Sequence, residues 1–382
     1  MHKDVNVDSD TLMLGAVGDI AAFHDAPETM FDHVDSALRE ADILFAQNER
    51  HYNTSRATPV GGFTEQVPPE HAQYLKRGGF DVLSFASNHC MDLGEEPMLE
   101  TIGVLQGHGF SVIGAGRNIE EARKPAIIER RGTKIAFLAY CSVLRPNYEA
   151  NISKAGSAPM RAYTLYHQAD YQPGTAPRIM TFADKPDLAA MVDDVARARA
   201  TADIVAVSFH WGIHFAHAVI ADYQREVAHA AIDAGADVIL GHHPHMLKGI
   251  ESYHGKPVFY SMGNFAFDLP RDVVGEWFRS APQKEQAFRA QGWALDDPDW
   301  SRYVFPPATR KSMIVRCTIS GKKLTRVAFL PVMINRQAQP QVLTRTDEDF
   351  GEVVDYMKEI SVHQGLPTAF HVEGDEVVIS AG

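Results

Sequence analysis

Short apolar runs recur along this chain and alternate with stretches whose apolar residues repeat at helical spacing. That alternation restricts the fold most, because strands separated by helices pack as a layered α/β structure. The strand candidates are Leu12 to Val17, Ile43 to Ala46, Val82 to Ala86, Ile135 to Tyr140, Ile204 to Phe209, Val238 to Leu240 and Val258 to Tyr260. Between them, Glu95 to Gln106 places Met98, Ile102 and Leu105 on one helical face. Asp187 to Ala202 does the same with Leu188, Met191, Val192 and Val195, and Pro186 stands where a first helical turn tolerates it. Tyr223 to Ala234 ends at Gly235, a left-handed cap candidate. Two segments break the rhythm, 145–185 and 269–311, and are expected to be long loops. The second carries Pro270, Pro282, Pro298, Pro306 and Pro307. Loops of that length in a compact domain serve as lids or binding loops, or are plain surface excursions. Two more strands, Met313 to Ile319 and Thr325 to Leu330, precede an amphipathic stretch from Asp347 to Glu359 and an acidic tail.

Composition removes several classes of function. Of 382 residues, 45% are hydrophobic, enough for a sizeable core. Thirty-six basic against 49 acidic residues leave a formal charge of −13. With no dense Lys/Arg cluster, neither nucleic acid nor an anionic membrane surface is an expected partner. The most apolar stretch, Ile204 to Ala221, is interrupted by His210, His214 and His217, so it reads as a buried strand and its loop. The cysteines Cys90, Cys141 and Cys317 show no pairing motif, and the residues from Met1 onward are acidic and polar. A soluble chain in a reducing, cytoplasmic setting is the expectation.

The chemistry lies at the carboxyl ends of the strands. Leu12–Val17 runs into Gly18-Asp19, and Ile43–Ala46 into Gln47-Asn48-Glu49. Val82–Ala86 runs into Ser87-Asn88-His89, Ile204–Phe209 into His210-Trp211-Gly212, and Val238–Leu240 into Gly241-His242-His243-Pro244-His245. Parallel strands would deliver these side chains to one sheet edge, where α/β proteins bind ligands. Imidazoles suit Zn, Fe, Ni or Cu, whereas carboxylates and amide oxygens suit Mn or Mg, so a divalent or mixed metal site fits the set.

These stretches, with Asp92, Gly94 and Tyr260-Ser261-Met262-Gly263-Asn264-Phe265, make the chain resemble the CapA or poly-γ-glutamate capsule biosynthesis family of the calcineurin-like metallophosphoesterase superfamily. The resemblance runs from about Thr11 to Asp268 and resumes weakly from Lys311 to Pro340. It implies a four-layer αββα sandwich, with a metallophosphoesterase-like domain over 1–340 and a helical extension and acidic tail over 341–382. It also implies two divalent ions, with Mn, Zn or Fe as candidates. Asp19 and His245 would serve the first ion, Asn88, His210 and His243 the second, and Glu49 would bridge them. His89 would act on the leaving group, oriented by Asp92. The superfamily's first-motif histidine is replaced by Ala21, so the first ion has fewer protein ligands, and His24 is a partial substitute. The membrane anchor common in the family has no counterpart in the sequence, which points to a soluble, specialised relative.

His242 reads as a support behind the ligands, and His51, His214 and His217 as ordinary polar residues. Cys90 reads as core, and Asn264 and Phe265 as shaping the backbone. Arg50 and Arg145 are candidates for holding an anionic substrate, small or oligomeric. The expected activity is hydrolysis of a phosphoester, ester or amide by a metal-activated water. The alternative is a non-catalytic metal-binding accessory protein in capsule-polymer biosynthesis. A redox metal enzyme fits the carboxylate-rich set less well.

Overall fold

The computed structural model describes residues 11–21, 26–55 and 66–382. The strands that build and flank the site are, in chain order, β1 (Leu12–Ala21), β2 (Ile43–Asn48), β3 (Val82–Ser84), β4 (Ser111–Ile113), β5 (Thr133–Cys141), β6 (Ile204–His210), β7 (Val238–His242), β8 (Lys256–Phe259), β9 (Asn264–Phe267), β10 (Lys311–Ser320), β11 (Lys323–Ile334), β12 (Thr368–Glu373) and β13 (Glu376–Ala381). The principal helices are α1 (Glu95–Gly107), α2 (Lys185–Arg199), α3 (Asp222–Asp233), α4 (Arg271–Ser280), α5 (Pro282–Ala290) and α6 (Glu348–His363). Every strand and helix expected from the sequence is present. Boundaries shift by a few residues, as local propensity rarely fixes an element's ends.

One sheet runs in the order β12-β13-β11-β10-β1-β2-β3-β4. The other runs Ile250–Tyr253, β8, β7, β6, β5 and Ala126–Arg130. Leu14, Phe45, Val82 and Val315 of the first sheet meet Phe137, Ala206 and Leu240 of the second in a continuous buried core. There Phe45 and Phe137 stack with ring centroids 6.1 Å apart. Helices α2 and α3 cover the outer face of the second sheet through Met191, Val195, Val227 and Ala231. The outer face of the first sheet is closed by Leu38, Leu75 and Leu105 from helical segments and by Phe31 from the turn before the first of them. The result is the expected four-layer αββα sandwich.

Register decides where the site falls. In the first sheet β1, β2 and β3 are parallel, and Asp19 pairs with Gln47. In the second, β5, β6 and β7 are parallel, with His210 opposite both Cys141 and His242. The carboxyl ends of both sheets therefore open on the same edge. Along β1 the partner changes: β10 pairs antiparallel with Leu12 to Val17, and β9 pairs parallel at Asp19 and Ala21. Gly18 sits at the change. A Cβ there would lie 2.0 Å from the Gly263 carbonyl oxygen, so only glycine admits the close approach.

Two expectations are corrected. The segment 269–311 is not a plain loop, because it holds α4, which starts directly after Pro270, and α5, which starts at Pro282. The segment 145–185 carries the hairpin Ala162–His167 with Arg178–Ala183. Within the acidic tail, β12 and β13 form a hairpin around Gly374-Asp375, and β13 pairs with β11. Backbone pairing and the burial of Val377 hold it there, and Arg326 and Arg316 of the neighbouring strands pair with Glu373 and Glu376.

Candidate metal centre

Asp19 is wholly buried at the end of β1. Its Oδ1 lies 3.1 Å from His242 Nδ1, and its Oδ2 accepts from the His243 backbone N–H at 3.2 Å. Glu49 follows β2, and one carboxylate oxygen each from Asp19 and Glu49 falls with a His210 ring nitrogen within 4.8 Å of one another. Burial and the neighbouring Asp19 carboxylate hold the Glu49 carboxyl well above the usual range.

His210 Nε2 is crowded by three groups: Asn88 Oδ1 at 2.7 Å, His243 Nδ1 at 3.2 Å and Glu49 Oε1 at 3.8 Å. One N–H can satisfy only one of them. Both Glu49 oxygens are buried without a hydrogen-bond partner, as are His210 Nδ1 and His242 Nε2. Unpartnered buried carboxylate oxygens are costly, by several kcal/mol or more for a full charge. Metal–ligand bonds of about 2.0–2.2 Å bring neighbouring donor atoms to roughly 3 Å. The spacing, the donor types and the orphaned oxygens therefore fit a divalent cation.

Strain appears where the ligands concentrate. His243 and His245 have φ of 92° and 55°, the left-handed region that residues other than glycine seldom occupy. This turn aims His243 at His210 and leaves His245 Nδ1 3.5 Å from Asp19 Oδ2. Burial pushes the His210, His243 and His245 rings toward the neutral form that ligation requires.

Asn88 joins the cluster to a second pair of groups. Its Oδ1 faces His210, and its Nδ2 donates to His89 Nε2 at 2.9 Å. His89 Nδ1–H then donates to Asp92 Oδ2 at 2.6 Å, and Tyr148 Oη donates to Asp92 Oδ1 at 2.7 Å. The spacing of three works through a tight turn after β3, closed by Asp92 N–H to His89 O at 3.1 Å, rather than through a regular helix.

A family profile described as bacterial capsule synthesis protein PGA_cap matches residues 9–269. The chain belongs to this family. It is 30% identical over 260 residues to the PGA biosynthesis protein CapA of Bacillus subtilis, covering 67% of this chain and 61% of that protein. To the capsule biosynthesis protein CapA of Bacillus anthracis it is 26% identical, covering 68% and 61%. The chain thus spans about three-fifths of the length of these CapA relatives. Among solved structures, a hypothetical protein from Thermus thermophilus aligns over 87% of this chain and 99% of its own, at 14% identity and a TM-score of 0.46. The calcineurin-like phosphoesterase YfkN from Bacillus subtilis aligns over 93% and 98%, at 11% identity and a TM-score of 0.37.

In this PGA_cap family chain all eight site candidates read from sequence, Asp19, Glu49, Asn88, His89, Asp92, His210, His243 and His245, come together at one edge. The two halves are unequal. Asn88, His243 and Glu49 crowd around His210 Nε2, whereas His245 Nδ1 is already bonded to Asn264 Oδ1 at 2.8 Å. His242 supports Asp19, as expected of a residue behind the ligands. His24 lies outside the described residues.

Sequence reasoning passed over several contributors. His214 is no ordinary polar residue: its ring centroid is 3.8 Å from that of His243, and burial drives its pKa down to about 2. Asn264 does more than shape the backbone, since its Nδ2 also donates to Tyr303 Oη at 2.9 Å. His51 Nε2–H supports the His89 carbonyl at 2.9 Å. Cys90 is core, its thiol pushed up to about 12 by burial. Among the described residues no helix is long and apolar enough to cross a membrane.

Proposed function

We propose that this chain is a metal-dependent hydrolase. The observation that carries the reading is Asn88, whose single amide ties the cation-ready cluster to a histidine–aspartate pair. Glu49, Asn88, His210 and His243 would hold a divalent ion, and Asp19 with His245 a second, more weakly. Such an ion supplies Lewis acidity, activating water and stabilising negative charge that develops on the substrate.

The protein's own groups do the rest. Asp92, fixed by Tyr148, holds the His89 proton at Nδ1 and keeps Nε2 turned toward the cluster. Water adds its OH to the phosphoester, ester or amide centre, the bond to the leaving atom breaks, and the proton that the water gives up passes to that atom through His89 Nε2, the ring nitrogen left bare by the Nδ1–H bond to Asp92. Neutral rings at His210, His214 and His243 keep the site free of excess positive charge when metal is absent. Cytoplasmic action on a small or oligomeric anionic substrate is part of this proposal.

A second reading follows from the relatives' names. The Mycobacterium tuberculosis relative is called a probable polyglutamine synthesis accessory protein, and the two CapA relatives are named for PGA biosynthesis and for capsule biosynthesis. On that reading the metal is structural and the chain assists polymer synthesis. Turnover of phosphomonoester and phosphodiester substrates by the Mn-loaded chain, beside His89→Ala, separates the two. The hydrolase reading expects a loss of about a hundredfold or more in the variant with metal content unchanged. No turnover of phosphoesters, esters or γ-glutamyl amides by the loaded wild type would favour the accessory role.

A further inference from the structure

Beside Glu49, His89 and His245 opens a cavity of about 210 Å³ whose far wall is aromatic. The wall begins at the site itself: the His245 ring lies 5.1 Å from Phe267 and 5.5 Å from Phe305, centroid to centroid. It continues from Phe305 to Trp293 at 5.0 Å, from Trp293 to Phe288 at 4.4 Å, and from Phe288 to Phe278 at 5.4 Å. Phe278 and Phe288 come from α4 and α5, the elements inside the segment read from sequence as a loop. Both rings are only partly buried, so they present apolar surface to the cavity. Arg145 and Lys284, both exposed, also line the cavity, in a chain whose formal charge is −13.

A catalytic cleft for a hydrated polyanionic strand has no need of a continuous aromatic wall. An apolar cavity of ~150 Å³ is enough to take up benzene. The space here thus fits one substituted ring together with the group that reaches the cluster. Aromatic rings pair favourably in edge-to-face and offset geometries, which such a wall offers from several sides. Exposed cations at a cleft's edge draw anions in from solution.

We propose that the cavity selects substrates in which an aromatic ring sits one or two bonds from the anionic group presented to Glu49 and His89. This rests on the hydrolase reading and adds to it a substrate class, an aryl or arylmethyl anion, with Phe278, Phe288 and Trp293 as specificity residues.

Binding, rather than turnover, tests it. Phenylphosphonate and methylphosphonate are titrated calorimetrically into the Mn-loaded full chain. Burial of the ring predicts a preference of roughly tenfold or more for the phenyl compound, falling to about threefold or less in Phe278→Ala or Phe288→Ala. Equal binding of the two phosphonates overturns the ring cavity and leaves the hydrolase reading standing. So does a preference that both variants retain in full. If the loaded chain binds neither phosphonate, the phosphoester form of the hydrolase reading fails instead. Phenylacetate against acetate then decides the cavity: a preference for the ring compound supports it, and none overturns it.

Discussion

Asn88 is the residue on which most depends, because its two amide atoms do different work. Replacement by alanine removes an oxygen donor beside His210 and the hydrogen bond that holds His89 Nε2. Asn88→Ala should therefore lose bound metal, read by elemental analysis, while keeping a folded circular-dichroism spectrum. Full metal content in that variant would sink the ligand assignment. Asp92→Asn acts on one function only. It keeps the shape but removes the charge facing His89 Nδ1, so turnover should fall by about tenfold or more with metal content unchanged. Equal rates would mean that Asp92 only braces the turn. Asn88 was legible in the sequence because it follows closely on a strand and strand ends share an edge, whereas Asp92 came from the family resemblance and its spacing of three from His89. His214 was not legible. It reaches His243 because Gly212 and Phe215 take positive φ, and Phe215 N–H bonds the Pro244 carbonyl at 3.2 Å, folding the loop back onto the ligands. No periodicity encodes such a return.

Elements place these groups through contacts that leave no room for a side chain. Asp19 N–H donates to the Gly263 carbonyl at 2.9 Å, which locks β9 beside the end of β1. Gly18→Ala forces a methyl group against that carbonyl and must push the two strands apart. The expected cost is about 1–3 kcal/mol, or more, in urea unfolding. Metal content should fall as well, because Asp19 moves with the strand. A variant with wild-type stability would show that the approach relaxes freely. The elements missed from sequence have a common cause. Pro270 and Pro282 read as breakers, yet proline fits the start of a helix, where its missing N–H costs nothing; Pro270 caps α4 and Pro282 opens α5. Gly374-Asp375 is a two-residue hairpin signal, but the acidic composition around it masked the alternation in Val372, Val377 and Ile379. In the sequence, local charge and proline content thus obscure turn chemistry, whereas in the fold pairing with β11 brings Glu373 and Glu376 to Arg326.

At the scale of the whole molecule, the cluster sets how the metal-free protein responds to acid. Burial holds His51 at about 4 and His214 at about 2, and lowers His210, His243 and His245 as well. In the unfolded chain each ring takes up a proton near pH 6.5. Below that value the unfolded state binds more protons than the folded state, so stability drops as pH falls. Each ring can contribute up to about 1.4 kcal/mol per pH unit until the pH reaches its lowered folded value. For His51 that window runs from about 6.5 down to about 4. Glu49 works in the opposite sense: with its folded pKa raised, it costs the metal-free protein stability as pH climbs above the ordinary carboxylate range. The histidines outnumber it, so the net dependence below pH 6.5 follows them. Thermal unfolding of the metal-free chain should therefore show a midpoint that falls steeply between pH 6.5 and about 4.5. Saturating Mn should raise the midpoint most near pH 7.5, where the rings are deprotonated in both states and free to ligate, and least at the acid end, where protons compete for them. A midpoint that stays level from pH 7.5 to 5 without metal would mean that the rings already carry their protons in the folded protein. The buried cluster would then be wetter than its packing implies, and no longer poised for a cation.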